Sequence, residues 1–511
     1  MSQKISRWMD SSVILRGILW LFNAFLAICR GSFVVSFFSA DYDGDKLRRS
    51  RFVRAIEGVL NFFPKILKQQ SNFKSSTKGA LKNNAILNSV SFRNSAVIRY
   101  LTETMDTPIP ETNSIAGWAK WAFAAFPVWG MMLIVVGVPF LPTMVLGGLL
   151  VAIFVAALFR ERFELDLAGV ALVFFMGVSL IAGAASLSRE TSIRIAVLVI
   201  ILMSSYLLIQ VCFKKLQTLD FVLGAFVAAA GLTGLVALYQ WVAGYTIEDG
   251  LVDARLHAEI QFRAWSTFDN SNVYGTFLVL MIPLSIALIF YARRILLKIC
   301  AAGITLLLLA ALGLTFSRGS YVAVAVAVAL FVLILERRAI VLFVGGLFVL
   351  PFVLPTAVLN RLLSILDFTD SSTMYRLAIY RGALRLLGDF WMFGIGQGVD
   401  AYNRAAPLHA LAGVHAAHSH NLFLQIFLET GIVGFLAFMV VLALFFHGQF
   451  SFMRKAADSR RRILSAAMTS AVVGFLVMGL FDFPFHNYSV MLAFFLFLGL
   501  ASAVTSAGEE S

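Results

Sequence analysis

Long runs of apolar residues constrain the fold of this chain more than any other feature of its sequence. Between residues 121 and 506, several runs exceed 18 residues with few or no charges. About 20 apolar residues in a helix are enough to cross the hydrocarbon core of a bilayer. Only 14% of the residues are charged, against about 25% in soluble globular domains. The sequence therefore predicts an all-α, polytopic integral membrane protein.

Twelve segments are candidate membrane spans, separated by short loops and one long one. They are 121–141, 142–159, 167–186, 193–213, 221–244, 272–292, 299–316, 321–336, 339–359, 421–446, 463–481 and 489–506. The long connection at 360–420 contains amphipathic stretches of its own, so we expect helices within it.

On one side of the predicted bundle every loop carries basic residues. These are Arg160 and Arg162, Lys214 and Lys215, Arg293, Arg294 and Lys298, Arg337 and Arg338, and Arg454, Lys455, Arg460, Arg461 and Arg462. Short loops rich in Lys and Arg stay in the cytoplasm. We therefore expect this face and both termini to be cytoplasmic. The external face then receives the segments 245–271, 317–320 and 360–420.

A basic leader, residues 1–112, precedes the membrane domain at 113–506. Residues 46–99 contain twelve Lys or Arg and one acid. Such a segment beside a membrane interacts with anionic lipid headgroups, so the net charge of +13 does not imply a nucleic-acid partner. The apolar but interrupted stretch 11–40 fits an interfacial helix or a weakly hydrophobic span.

The loop 360–420 holds the densest polar constellation. An apolar stripe at helical spacing comprises Leu377, Tyr380, Leu384, Leu387 and Trp391. We expect a helix lying on the bundle, with Arg376 turned towards the protein and Arg385 towards water. A partly buried arginine needs an anion or several hydrogen bonds, and Asp367 or Asp370 is a candidate structural partner for Arg376.

Two histidines, His418 and His420, stand just before the span 421–446. The positive end of a helix dipole disfavours protonated imidazole, and a neutral ring is what a general base needs. A capping histidine and a metal ligand are the alternatives. A third metal ligand is not evident in the sequence, so we expect neither a metal nor a cofactor.

Other polar residues lie at the same predicted face. Arg318 follows a span directly, where it can bind an anion or extend to the interface. Asn270 and Asn272 precede a span, and they can orient a sugar or cap the helix. Asp482 and His486, in the last external turn, form a second and weaker acid–imidazole pair.

Four motifs occur together in residues 260–445. They are NSNVYGTFLVLMIP, FSRG, RLAIYRGALRLLGDFWMFGIGQG and HSHNLFLQIFLETGIVGFL. This combination resembles the bacterial O-antigen ligase and O-antigen polymerase family, whose relatives include protein O-oligosaccharyltransferases. HSHN followed by ETG is the most specific element.

The resemblance implies a metal-independent, inverting glycosyltransferase in the bacterial plasma (inner) membrane, active at the external or periplasmic face. Its donor would be an undecaprenyl-diphosphate-linked oligosaccharide, and its acceptor a hydroxyl of a glycan, a lipid or a protein. The basic leader departs from the pattern of the Gram-negative ligases and favours polymerisation. A transporter or flippase of lipid-linked glycans is the alternative.

The resemblance also suggests roles for individual residues. Arg318 and Arg376 correspond to diphosphate-binding arginines, and His420 to the catalytic histidine, with His418 as a second candidate. Asn421 and Glu429, in the same motif, are possible substrate-binding residues together with the two asparagines before the earlier span.

Overall fold

The structure is a computed structural model, and it describes most of the chain outside the leader. The described ranges are 50–61, 126–160, 163–213, 216–245, 262–366, 371–408, 416–456 and 458–506. Within them the secondary structure is helical and contains no strand. The predicted interfacial helix at 11–40 lies outside these ranges, as do Asp367 and Asp370.

Sixteen α-helices make up the described part of the chain. They are α1 (Arg51–Leu60), α2 (Phe126–Gly137), α3 (Thr143–Arg160), α4 (Leu167–Ala184), α5 (Arg189–Cys212), α6 (Leu216–Val242), α7 (Ser271–Tyr291), α8 (Ile295–Thr315), α9 (Arg318–Leu335), α10 (Ile340–Val353), α11 (Thr356–Leu363), α12 (Ser371–Phe390), α13 (Val399–Ala405), α14 (Leu422–Lys455), α15 (Ser459–Met478) and α16 (Tyr488–Ser506).

Nine of the described helices are long and apolar enough to cross a membrane. The predicted polytopic all-α membrane fold is therefore confirmed. Every predicted span coincides with a helix, but the total of twelve is not confirmed, because α2, α3 and α10 are not among these nine. Of these three helices, α2 has 12 residues and is about 18 Å long, less than the ~30 Å of a hydrocarbon core.

The centre of the bundle is α15, which packs against α7 and α9. Small residues allow this approach, as is common between membrane helices. A Cβ at Gly474 would lie 2.8 Å from the backbone oxygen of Ala323. Towards one end of α15, the rings of Phe475, Phe485 and Phe494 pack with centroids 4.4–5.9 Å apart. This aromatic cluster supports the turn that joins α15 to α16.

The longest helix, α14, is broken at Gly431, where φ is 67° and ψ is −174°. The backbone groups freed by this break pair with the loop after α12. Ile432 donates its N–H to the oxygen of Trp391 at 2.8 Å, and Ile395 donates to the oxygen of Leu428 at 2.7 Å. The GIGQG and ETG motifs, distant in sequence, are therefore one structural unit.

Glycine is required where these two segments cross. Gly394 has a φ of 73°, and a Cβ there would lie 2.7 Å from the backbone carbonyl of Glu429. At Gly431 a Cβ would lie 2.2 Å from the oxygen of Met392. Only residues without a Cβ allow both the left-handed conformation and this separation.

The predicted helix in the long loop is present as α12, but the residues that it buries differ from the prediction. Ile379, Ala383 and Leu386 are buried, whereas Leu384 of the predicted stripe is 59% exposed and Trp391 is 49% exposed. The buried residues are themselves an apolar set at helical spacing, next to the predicted stripe on the helix surface. Periodicity alone therefore does not identify which of the two packs against the bundle.

The described part of the leader, α1, docks onto the membrane domain. Val53 is buried and Ile56 packs against the core. Asn61 forms two hydrogen bonds with the backbone of Phe163, one through Nδ2 at 3.1 Å and one through Oδ1 at 3.0 Å. At least this section of the leader is therefore an integral part of the fold.

Candidate active site

The segments that carry the predicted site residues meet at one end of the bundle. Leu422, the first residue of α14, donates its N–H to the oxygen of Gly479, after α15, at 2.7 Å. Ala264, before α7, donates to the oxygen of Leu314 at the end of α8 at 2.8 Å. These contacts place the starts of α7, α9 and α14 beside the turn between α15 and α16.

His420 forms a carboxylate–imidazole pair with Asp482. The distance between His420 Nδ1 and Asp482 Oδ1 is 3.0 Å, and the same oxygen accepts the N–H of Phe483 at 2.8 Å. Burial raises the pKa of the Asp482 carboxyl, but the hydrogen bond and the charge of His420 outweigh it and hold the pKa well below its usual range. The ionised carboxylate keeps a proton on Nδ1 of His420, which leaves Nε2 as an acceptor.

The backbone of His420 is held in an uncommon conformation. Its φ is 50°, a left-handed value that costs a non-glycine residue about 1–3 kcal/mol. Tyr380 of α12 donates a hydrogen bond to the oxygen of His420 at 2.9 Å and contacts the oxygen of Leu480 at 3.0 Å. The conformation turns the imidazole towards Asp482, and its side chain keeps 27% of its surface exposed.

His418 has a different environment and a different chemical character. Its Nδ1 accepts the backbone N–H of His420 at 3.2 Å, so the proton of the neutral ring lies on Nε2. Burial, followed by the charges of His420 and His486, lowers the pKa of His418 to about 3. The ring stacks on His486, with 4.8 Å between centroids. His418 is therefore a neutral hydrogen-bond donor at physiological pH and not a base.

The predicted pair of Asp482 with His486 is wrong. Asp482 pairs with His420, and the Nδ1 of His486 contacts the backbone oxygen of Phe483. Sequence proximity suggested the i, i+4 pair, but the turn after α15 is not helical at Asp482. Its carboxylate points across the turn to the start of α14.

Four arginines gather beside this pair. Two of them, Arg318 and Arg376, were predicted, and two, Arg263 and Arg361, were missed. Burial, and then the positive charges of Arg361, Arg376 and Arg318, lower the pKa of Arg263 to about 10. Arg318, Arg361 and Arg376 are thus each within electrostatic range of Arg263.

Backbone oxygens of the FSRG turn orient two of these side chains. Arg263 donates through Nε to the oxygen of Thr315 at 2.9 Å, and through Nη2 to Oδ1 of Asn272, also at 2.9 Å. Arg361 donates to the oxygen of Phe316 at 3.2 Å, and Phe316 itself has a left-handed φ of 48°. These hydrogen bonds orient the two guanidinium groups at the FSRG turn.

Arg318 is the first residue of α9, and its Nη1 donates to the oxygen of Ser364 at 3.1 Å. The turn predicted at 317–320 is therefore shorter than expected, because α9 already begins at Arg318. Arg376 is partly buried, as predicted, whereas Arg385 on the same helix is exposed.

Tyr380 lies between the arginines and the His420–Asp482 pair. Burial raises the pKa of its hydroxyl, the charge of Arg376 lowers it, and the charge of Asp482 raises it. Both groups are therefore close to the tyrosine, which also contacts the backbone of His420. The two halves of the site are joined through α12.

The asparagines have structural partners. Asn270 caps α7 by accepting the N–H of Asn272 at 2.7 Å. Asn421 caps α14 by accepting the N–H of Leu424 at 3.0 Å, and its Nδ2 donates to the oxygen of Leu480 at 3.2 Å. The capping alternative is thus confirmed for Asn270. The alternative of a capping histidine is wrong for His420, because Asn421 caps α14.

A metal site is geometrically possible at one place in the described part of the chain. Ligand atoms of His418, His420 and Asp482 lie within 4.8 Å of one another. However, Nδ1 of His420 is bonded to Asp482, and Nδ1 of His418 accepts a backbone N–H. A metal on these atoms would have to replace both hydrogen bonds. These side chains therefore fit a hydrogen-bonded imidazole–carboxylate pair better than a metal site. Metal-independent chemistry stays a prediction.

A comparison with protein families places the centre of this site within a known domain: residues 303–439 match the O-antigen ligase family. The matched region, about a quarter of the chain, supports the O-antigen ligase family. The sequence resemblance to this family is thereby confirmed. No curated protein matches the chain in a separate comparison.

The O-antigen ligase domain includes three of the four arginines, both histidines of HSHN and Glu429. Arg263 and Asp482 lie outside the matched residues, yet the fold brings them to the same site. The match supports a multi-pass membrane enzyme that processes glycans, with a lipid-linked glycan and an acceptor as its substrates.

Proposed function

We propose that this O-antigen ligase domain is an inverting, metal-independent glycosyltransferase. It moves glycan units from undecaprenyl diphosphate to an acceptor hydroxyl at the external face of the bacterial plasma membrane. The observation that carries the proposal is that Tyr380 contacts the backbone of His420 and lies near Arg376, which links the His420–Asp482 pair to the group of four arginines. A base beside an anion-binding group is what this reaction requires.

The arginines bind the diphosphate of the donor. Guanidinium groups remain charged at any physiological pH, and each can form two parallel hydrogen bonds with phosphate oxygens. As the bond between the anomeric carbon and the phosphate oxygen breaks, negative charge grows on the leaving group. Pre-oriented cations in a partly buried site stabilise that charge without reorganising.

His420 activates the acceptor. Its Nε2 takes the proton of the acceptor hydroxyl while the hydroxyl oxygen bonds to the anomeric carbon. Asp482 holds the ring in the required tautomer and stabilises the imidazolium that forms. Attack opposite the departing diphosphate inverts the anomeric configuration. The diphosphate leaves as an anion, so no general acid is needed.

We favour polymerisation over ligation, because the basic leader is unlike that of the Gram-negative ligases and part of it is integrated into the fold through α1. In a polymerase, the acceptor is the end of another lipid-linked glycan. The basic loops predict that both termini are in the cytoplasm. The site then faces the compartment where the carrier presents its glycan.

The product of the reaction tests this function. The protein, reconstituted in liposomes with EDTA, is supplied with lipid-linked oligosaccharide from membranes of the source bacterium. Mass spectrometry should show products lengthened by whole repeat units, and NMR should show a new linkage of inverted anomeric configuration. Retained configuration would contradict the mechanism. Donor that crosses the bilayer with no new glycosidic bond would support the transporter alternative instead.

A further inference from the structure

A cavity of about 170 Å³ lies next to the candidate active site, on the other side of His418. It is enclosed by α4, α5, the start of α14, the loop before α13 and the turn before α16. Its described lining contains none of the four arginines and no lysine. It is therefore chemically distinct from the diphosphate site.

One wall of the cavity carries a buried carboxylate. Oε1 of Glu429 accepts a hydrogen bond from Nε2 of Gln425 at 3.0 Å and a longer one from the N–H of Gly398 at 3.4 Å. No donor among the described residues engages Oε2. Gln425 is itself fixed, because its Oε1 accepts the N–H of Ser419 at 2.8 Å. The carboxylate is thus held rigidly with one oxygen available to a ligand.

His418 supplies a hydrogen-bond donor to the same cavity. Since Nδ1 of this ring accepts a backbone N–H, its Nε2–H is a donor. Phe483, Phe485 and Tyr488 add aromatic surface. An apolar, aromatic cavity with a few oriented polar groups is typical of a small-ligand site. A fixed acceptor, a fixed donor and the lack of a cation favour a neutral, hydroxyl-rich ligand over an anion.

We propose that this cavity binds the terminal sugar of the acceptor glycan, with Glu429 accepting a hydrogen bond from one of its hydroxyls. The proposal rests on the glycosyltransferase function, and it assigns the acceptor to one side of His420 and the donor diphosphate to the other. The ring of His418 lies 4.3 Å from the ring of His420, centroid to centroid. A sugar in contact with His418 therefore holds a neighbouring hydroxyl beside the base.

Filling the cavity tests the assignment with a matched control. Val199 lines the cavity, whereas Val197, two residues earlier on α5, is 44% exposed on the outer surface. The Val199→Phe variant should raise the acceptor KM about tenfold or more and leave the donor KM within about twofold. The Val197→Phe variant should change neither.

A second variant keeps the shape and changes the group that faces the ligand. Glu429→Gln should also raise the acceptor KM about tenfold, because Gln425 and Gly398 hold the amide oxygen and the NH2 group then replaces the oxygen that would accept the sugar hydroxyl. The acceptor probe is the oligosaccharide released from its lipid carrier by mild acid. Because it lacks the diphosphate, its KM reports on the acceptor subsite alone.

Each outcome decides between the two proposals. Transfer by the wild type with raised acceptor KM in both variants supports the cavity assignment. Transfer by the wild type with unchanged acceptor KM in Val199→Phe and Glu429→Gln overturns it and leaves the glycosyltransferase function intact. Polymerisation of the lipid-linked glycan without any use of the released glycan also overturns it. No new glycosidic bond with any acceptor overturns both.

Discussion

The imidazole of His420 and the carboxylate of Asp482 are joined by a hydrogen bond of 3.0 Å, although 62 residues separate them in the chain. His420 precedes α14, and Asp482 lies in the turn that links α15 to α16. The bond is possible because the aromatic cluster around Phe485 fixes that turn and Tyr380 fixes the backbone of His420. The base of the proposed reaction is thus assembled from a histidine within the matched residues 303–439 and a carboxylate in a turn that follows them.

Asp482→Asn should slow transfer about 100-fold or more, because a carboxamide no longer fixes the proton of His420 on Nδ1 or stabilises the imidazolium. The initial rate of glycan transfer in liposomes measures the effect. Asp458→Asn is the matched control, since Asp458 caps α15 at the end remote from the site. Equal rates for Asp482→Asn and the wild type would contradict the role of the pair.

The arginines should be sensitive even to a conservative change. Arg376→Lys should raise the donor KM about tenfold or more, because an ammonium group cannot reproduce the planar fork of hydrogen bonds to phosphate. Arg385→Lys, on the exposed side of the same helix, should leave the donor KM unchanged. A donor titration with both variants makes the comparison, and equal donor KM values would count against diphosphate binding by α12.

The arginine site shows what a sequence can and cannot predict. Arg318 and Arg376 stand within recognisable motifs, so the resemblance located them. Arg263 and Arg361 lie in segments with no such pattern, and only the fold brings their side chains to the FSRG turn. For Asp482 the sequence predicts the wrong partner, His486, because separation along the chain says nothing about which loops meet.

The helices themselves were more predictable than their orientation. The length of the apolar runs was enough to place all twelve predicted spans on helices, since a span needs about 20 apolar residues. The protein-facing side of α12 could not be predicted, because the helix carries two neighbouring apolar sets at helical spacing. Hydrophobic periodicity therefore missed Ile379 and Leu386 and selected Leu384 in their place.

His418 should make the stability of the fold depend on pH. Its pKa of about 3 in the folded protein lies below the value of about 6.5 in an unfolded chain. Between these values the unfolded state binds more protons, so this residue makes the free energy of unfolding fall as pH falls. Thermal unfolding in detergent from pH 7 to pH 5 measures it. The fall should be shallower for His418→Asn, and identical slopes would contradict a neutral, buried His418.

The crossing of the GIGQG and ETG segments should be intolerant of a single methyl group. Gly431→Ala places a Cβ 2.2 Å from the oxygen of Met392 at a positive φ, so we expect the free energy of unfolding to fall by about 2 kcal/mol or more. Gly448→Ala, in the same helix with open space around it, should stabilise the protein by up to about 1 kcal/mol. Thermal unfolding of both variants provides the test, and equal midpoints would contradict the crossing.

The most direct test of the account is the rate of metal-free glycan transfer by His420→Ala, measured in liposomes with EDTA. The control is His447→Ala, which changes a histidine within α14 that is remote from the site. Loss of a general base lowers a rate by about 10²–10⁴-fold. The account predicts that loss for His420→Ala, at unchanged protein abundance and thermal stability, and full activity for His447→Ala. Wild-type rates for His420→Ala would contradict the central claim that this imidazole removes the acceptor proton.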